Sequence, residues 1–235
     1  WYREQARVDR YVVGVDLDLP KGGKLDLLPA GVQDEDTYAV TVSTFDWGTF
    51  YRKGGGAFLE ALREDMAARY DYVLIDSRTG LSDTAGICTV LLPDIVVDCF
   101  TLSRQGINGA VHVAESIRRQ AVHRNIRILP VPMRVEDAGQ DKLDAGRDLA
   151  RSRFASFLDW LPPEEVERYW GDVEIPYKPG YAYEEIPATV GDRKHQEGSL
   201  LAAFERLTGR ITDGRVTELR NMEEVDRRRL VTKYE

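Results

Sequence analysis

Two short apolar runs within residues 70–109 constrain the fold more than any other feature of the sequence. They occupy residues 72–75, which are followed by Asp76, and residues 95–100. Such apolar runs with β-branched side chains are typical of strands that are buried on both faces of a parallel sheet. Each run is followed by a polar loop with glycine and then by a segment that can form a helix. The pattern therefore predicts an α/β fold with a parallel sheet.

The loop after the first run contains the first candidate functional residues. Ligands of a parallel sheet bind outside the carboxyl ends of its strands. A carboxylate there can hold Mg²⁺ directly or through water, and a glycine lets backbone amides approach a phosphate. The alternative is a buried strand that ends in a turn aspartate, and the residues alone leave both readings open. The loop consists of Asp76, Ser77, Arg78, Thr79 and Gly80.

Composition narrows the class of protein. The 31% of charged residues is ordinary for a soluble globular protein, whereas the net charge of −8 argues against broad electrostatic binding to nucleic acid or to an anionic membrane. Cys88 and Cys99 lie in or beside apolar runs without metal-ligand spacing, so we expect reduced core cysteines in a cytoplasmic protein. No apolar run approaches 18 residues, so the sequence predicts no transmembrane segment.

The rest of the chain predicts further helices and strands around these two runs. Two alternating segments flank Gly22 and Gly23, which predicts a β-hairpin; a phosphate loop is rejected there because neither a serine or threonine nor a helix follows Lys24. The aromatic segment 45–51 is interpreted either as a lid or as a partner surface. Helices are predicted at 57–69, 82–92, 107–120, 141–157, from 162 onward and at 199–211, strands at 126–132 and 173–177, and a tail or linker at 213–235.

The order of several motifs resembles one family of ATPases. LDLLPAG, YDYVLIDSRTGLSD, DIVVDCFTLSRQGINGA, IRILPVPMR and EIPY follow each other as in the ParA/MinD class of deviant-Walker P-loop ATPases. More narrowly, they resemble the ATPase-like domain at the N-terminus of bacterial tetratricopeptide-repeat proteins. The resemblance implies a three-layer sandwich of the P-loop NTPase type over residues 1–212.

The resemblance also implies roles for individual residues. Asp76 matches the Walker B aspartate that binds Mg²⁺ through water, and Ser77 to Gly80 match the switch loop that senses the γ-phosphate. Within that loop Arg78 is either a phosphate or partner contact or a salt-bridge anchor. Arg134 stands where the family has an asparagine that reads adenine, and Pro176 and Tyr177 match the loop over the base. Residues 103–109 match a region often at the dimer interface.

One element of the family is missing. No stretch supplies its phosphate loop, so binding of ATP and Mg²⁺ is expected only if an upstream segment or a second chain provides that loop. The sequence thus predicts an ATP-dependent molecular switch that slowly hydrolyses nucleotide and forms a homodimer or docks onto a partner or a fused repeat domain. The alternative is a catalytically inactive interaction or regulatory module with the same fold. A metal-dependent hydrolase using Asp76, Asp83 and His112 is disfavoured because their spacing matches no known ligand set.

Overall fold

The helices and strands divide between two units along the chain. The computed structural model describes residues 1–15, 22–31, 37–77, 86–136, 139–184, 186–220 and 222–232, with the side chains of 140, 182 and 184 outside the description. The first unit is Trp1–Pro93 and the second is Asp94–Glu235. Helices, a parallel strand pair and an antiparallel hairpin make the chain an α/β protein. None of the described helices is long and apolar enough to cross a membrane.

The first unit contains the predicted hairpin. Its strands pair antiparallel, with Val13 opposite Leu27 and Val15 opposite Leu25. The Tyr70 hydroxyl donates to Asp26 Oδ2, in the second strand of the hairpin, at 2.7 Å. The described elements are α1 (Tyr2–Gln5), β1 (Val13–Val15), β2 (Leu25–Leu27), α2 (Tyr38–Thr44), α3 (Trp47–Arg52), α4 (Gly55–Arg69) and a π-helical turn (Ile87–Leu91).

Helix α4 begins at a glycine that the backbone requires. Gly54 has φ of 93°, in the left-handed region that favours glycine, and a Cβ there would overlap the Tyr2 ring. The Tyr2 hydroxyl donates to Lys53 O at 2.9 Å, which fixes α1 beside this turn. Leu59 and Met66 are the large apolar residues that α4 buries, so the predicted helix is confirmed.

The predicted strand at 72–75 is wrong. These residues form no strand among those described, and their side chains are exposed, Leu74 by 88% and Tyr72 by 45%. A strand needs a neighbour to take its backbone hydrogen bonds, and no described segment pairs with this run. An apolar β-branched composition therefore did not suffice to make a buried strand.

The second unit is built on a parallel βαβ crossover. Strand β3 pairs in register with β4, from Ile95 opposite Arg127 to Phe100 opposite Pro132. The helix between them begins after Ser103, whose side chain accepts a hydrogen bond from Gly106 N at 3.0 Å. The described elements are β3 (Ile95–Phe100), α5 (Arg104–Gln120), β4 (Arg127–Pro132), α6 (Gln140–Phe154), α7 (Pro163–Val173), α8 (Pro179–Glu184), α9 (Ala188–Gly191), α10 (Leu200–Ile211) and α11 (Glu224–Val231).

The core of the second unit is formed by one face of α5 and by aromatic and aliphatic side chains of the neighbouring elements. Ile107, Val111, Ala114 and Ile117 are buried along α5, as their spacing predicts. Phe100 stacks on Phe154 with ring centroids 5.1 Å apart. Further large side chains that are fully buried are Leu129, Val131, Leu158, Tyr169, Val173 and Ile175.

Two expectations for the second unit are corrected. The strand predicted at 173–177 is reduced to one isolated parallel bridge between Val135 and Pro176, because α7 continues to Val173. Cys99 is exposed rather than in the core, while Cys88 of the first unit is half-buried, and neither cysteine forms a disulfide among the described residues.

The segment expected to be a tail or linker contains helix α11, whose Arg227 donates to the carbonyl oxygens of Gly191 and Asp192.

Candidate functional site

Three of the predicted site residues lie close together beyond the carboxyl ends of the parallel strands. Beyond β4, Met133 N donates to Phe100 O at 2.7 Å, so the ends of both strands lie side by side. Val135 N then donates to Ile175 O at 3.0 Å, and Tyr177 N donates to Val135 O at 2.9 Å. These bonds bring the segment with Pro176 and Tyr177 against the segment with Arg134.

Arg134 has an unusual backbone at this edge. Its φ is 55°, in the left-handed region that costs a non-glycine residue about 1–2 kcal/mol. Its guanidinium lies 4.7 Å from the centroid of the Tyr177 ring, a cation–π distance worth about 0.5–1 kcal/mol at an exposed site. We call the exposed arginine and the half-buried tyrosine the Arg134–Tyr177 corner.

A bidentate ion pair stabilises the segment that leads into the Arg134–Tyr177 corner. Arg147 Nε and Nη2 donate to the two carboxylate oxygens of Glu174, each at 2.8 Å. The hydrogen bonds with Glu174 raise the pKa of Arg147 above its ordinary value. Glu174 precedes Ile175, so the pair holds the strand-like segment that leads to Tyr177.

The loop after β3 approaches the same edge. A Cβ on Gly106 would lie 2.6 Å from both Thr101 O and Thr101 Oγ1, so only glycine fits where α5 begins. The first amides of a helix can bind an anion, and a tyrosine face with a guanidinium can hold a planar ring. The edge therefore offers groups that suit the base or a phosphate of a nucleotide.

The remaining predicted site residues belong to the first unit or lie outside the description. Asp76 is exposed and follows a run that is not a strand, and Ser77 hydrogen-bonds the Cys88 side chain. Burial raises the pKa of the Cys88 thiol, and the bond with Ser77 offsets part of this rise. Arg78, Thr79 and Gly80 lie outside the described residues, as does Asp83.

The described residues contain no cluster of three His, Cys, Asp or Glu side chains that could hold a metal ion. His112 is exposed on α5. The residues around Asp76 do not complete a metal site in the described part of the chain.

The rejected phosphate loop at the hairpin has its lysine already bound. Lys24 Nζ lies 2.8 Å from Asp26 Oδ2 and 5.5 Å from the Tyr70 ring centroid. The hydrogen bond with Asp26 raises the pKa of Lys24. This lysine serves the hairpin, in agreement with its interpretation from the sequence.

A cleft beside α9 and α11 is basic but offers little free charge. Its volume is about 420 Å³, and its lining includes Arg193, Lys194 and Arg227. Each of these forms an ion pair with a glutamate, Arg193 and Arg227 with Glu224 and Lys194 with Glu218, at 2.8–3.4 Å. The acids already neutralise these cations, so this cleft is a weaker candidate than the Arg134–Tyr177 corner.

Sequence reasoning missed Asp98 as a residue of interest. It lies within β3, is only 9% exposed, and its Oδ2 has no hydrogen-bond partner among the described residues. Burial raises its pKa from the ordinary 3.8 to about 7. The signal was present, because an aspartate stands in the middle of an apolar β-branched run.

Comparison of the chain with known proteins found no match of any kind: no protein-family model, no curated protein and no solved structure matches it.

Proposed function

We propose that the chain is part of an ATP-dependent molecular switch of the ParA/MinD-like class, with a three-layer P-loop sandwich as its complete fold. The observation that carries the proposal is the Arg134–Tyr177 corner at the carboxyl edge of the parallel pair. A left-handed arginine is unusual, and such backbone positions cluster at functional sites.

The proposal divides the work between base and phosphate groups. Tyr177 offers a ring on which the base stacks, Pro176 stiffens the loop, and Arg134 lies beside the base or a phosphate. Asp76 holds Mg²⁺ through water, while Ser77, Arg78, Thr79 and Gly80 respond to the γ-phosphate. The phosphate loop comes from another segment or a second chain, and nucleotide binding and slow hydrolysis are coupled to dimerisation or to docking onto a partner or repeat domain.

The first experiment titrates the full-length protein, together with the segment or chain that supplies the phosphate loop, with a fluorescent ATP analogue in the presence of Mg²⁺. Tyr177→Ala is expected to weaken binding at least tenfold, because base–aromatic stacking contributes about 1–3 kcal/mol. Tyr183→Ala is the matched control, because Tyr183 is a tyrosine of the same unit that is 87% exposed. Equal affinity of wild type and Tyr177→Ala, or no saturable binding, would overturn the base site.

A second experiment isolates the metal-dependent part. Asp76→Ala is compared with Asp71→Ala, a change of a nearby exposed aspartate, with and without Mg²⁺. We expect Asp76→Ala to abolish only the gain in affinity that Mg²⁺ provides. If both variants respond to Mg²⁺ like the wild type, Asp76 is not the metal residue.

The alternative function is a nucleotide-independent interaction module. It is favoured by the exposed side chains of residues 72–75, since contiguous exposed apolar side chains mark interaction surfaces. Capture of a partner that is unchanged by ATP, and lost when Leu74 is replaced by Asp, would support this alternative. Capture that requires nucleotide would support the switch instead.

A further inference from the structure

The parallel pair β3–β4 has two outer edges, which differ in whether their backbone hydrogen-bonding groups are occupied among the described residues. Arg127 N donates to Asp94 O and Met133 N donates to Phe100 O. In a parallel ladder the bonding residues alternate along each strand. The amides of Arg127, Leu129 and Val131 therefore face β3, and those of residues 128, 130 and 132 face outward.

The outer edge of β4 is closed. Residues 130 and 132 are prolines and have no N–H to donate. Their carbonyl oxygens are occupied, because Pro130 O accepts from the Tyr169 hydroxyl and Pro132 O accepts from Ile175 N, each at 2.9 Å. Prolines at these positions are a common way to prevent further strand pairing.

The outer edge of β3 is open in the described part of the chain. By the same alternation, the backbone N–H and C=O groups of Ile95, Val97 and Cys99 face away from β4. None of these three residues makes a hydrogen bond outside the β3–β4 ladder in the part of the chain that the structure describes. No proline interrupts this strand, and Ile95 and Val97 are only half-buried although strands of parallel sheets are normally covered.

Asp98 supplies a second, independent observation on the same strand. Among the described residues its Oδ2 is buried without a hydrogen-bond partner, and a buried oxygen that is left unbonded destabilises the free chain. An inward charge protects an edge when pairing would bury it, but Asp98 is already buried before any further strand arrives. A neighbouring strand would set a side chain about 5 Å from Asp98 on the same side of the sheet, within reach of a hydrogen bond.

We propose that the open edge of β3 is a binding site for an extended β-strand of a partner polypeptide. The strand carries apolar side chains on either side of a residue with a hydroxyl donor, threonine or serine, which lies opposite Asp98. Its backbone bonds the outward groups of Ile95, Val97 and Cys99, and its hydroxyl donates to Asp98 Oδ2. This addition of a strand to a sheet edge does not require nucleotide and so goes beyond the switch function.

The test uses a labelled peptide as long as β3 that alternates valine with threonine between lysine ends, measured by fluorescence anisotropy on the full chain. We expect saturable binding to the wild type. Val97→Pro removes an outward N–H while leaving the bonds to β4, and should weaken binding at least tenfold. Val97→Thr keeps the N–H and should bind like the wild type.

A control that needs no variant covers the case in which Val97→Pro does not fold. The same peptide with alternate backbone amides methylated has the same side chains but lacks hydrogen bonds on one edge. Equal binding of the methylated and unmethylated peptides, or no saturable binding of either, would overturn the proposal. Self-association of the wild type that Val97→Pro abolishes would overturn the partner polypeptide in favour of a second copy.

Discussion

The two outer edges of the β3–β4 pair are the most instructive contrast in the molecule. One edge carries Pro130 and Pro132, and its carbonyl oxygens are bonded by Tyr169 and Ile175. The other consists of Ile95, Val97 and Cys99, whose outward groups make no hydrogen bond among the described residues. Both edges belong to strands of six residues in a single register.

The difference teaches that an edge is closed by particular residues and not by its position in the sheet. Proline removes the donor, and a tyrosine hydroxyl occupies the acceptor. The β-branched residues of β3 do neither, and favour further pairing. The predictions below break or sharpen this contrast, beginning with the largest expected effect.

Asp98 should make the stability of the second unit depend on pH. Burial raises its pKa from 3.8 to about 7, so the folded state holds a proton that the unfolded state loses. The contribution of Asp98 to stability should be greatest below about pH 4 and fall as the pH rises to about 7, by an amount of the order of 4 kcal/mol. Urea unfolding of wild type and Asp98→Asn across this range measures it.

In that experiment the Asn variant should lack this part of the pH dependence. The neighbouring Tyr169 and Cys99 titrate above the range, so they do not account for it. If the free energies of unfolding of the two proteins change with pH in the same way, Asp98 is charged at neutral pH and hydrogen-bonded in solution. A strand bound at the open edge should reduce the cost by donating to Oδ2.

Proline should distinguish the inner and outer amides of β3. Val96 N–H faces β4, so Val96→Pro should lower the free energy of unfolding by about 3 kcal/mol or more. Val97 N–H faces outward, so Val97→Pro should cost no more than about 1 kcal/mol. Thermal unfolding of both variants gives the comparison, and equal losses would contradict the alternation assigned to the strand.

Tyr169→Phe should open the closed edge of β4. The change removes the hydroxyl that bonds Pro130 O and leaves a buried carbonyl without a partner, at a cost of about 1–3 kcal/mol. Exchange of backbone amides, followed by mass spectrometry of peptides from β4, should show faster exchange near residue 129. Tyr177→Phe removes the hydroxyl of a half-buried tyrosine outside β4 and serves as the control. Unchanged exchange in Tyr169→Phe would show that the hydroxyl does not close this edge.

The fold of the second unit could largely be predicted from the sequence because its signals are local. Ser103 caps α5, and the spacing of Ile107, Val111 and Ala114 gives the buried face of that helix. Residues 95–100 and 126–132 were predicted as strands, and both strands are present within one residue. The cap and the buried helix face depend on neighbours in sequence, and the two strands are separated only by the connection that contains α5.

Residues 72–75 show that a local sequence pattern is not enough to predict a strand. Their composition resembles that of β3, yet they are exposed and form no strand among the described residues. A strand is stabilised by a partner that lies far away in sequence, and a local pattern does not specify one. For the same reason the sequence did not reveal that Cys99 is exposed or that Asp98 Oδ2 has no hydrogen-bond partner among the described residues.

The candidate site was predictable in part. Arg134, Pro176 and Tyr177 were singled out by the family resemblance, and the structure brings them together at one edge. The left-handed backbone of Arg134 was not predictable, because arginine has no preference for that region. The roles given to Asp76 and to the loop after it stay predictions.

Lysine at the open edge should have the smallest effect on stability and still decide whether the edge is used. Cys99 is exposed, so Cys99→Lys should change the free energy of unfolding by no more than about 0.5 kcal/mol. Lysine on an edge strand opposes pairing, since its charge would have to be desolvated beside the added strand. Val122→Lys, at an exposed position outside the sheet, is the matched control. Peptide binding that weakens in Cys99→Lys but not in Val122→Lys would give β3 the protection that prolines give β4, whereas equal binding in both would place the peptide elsewhere.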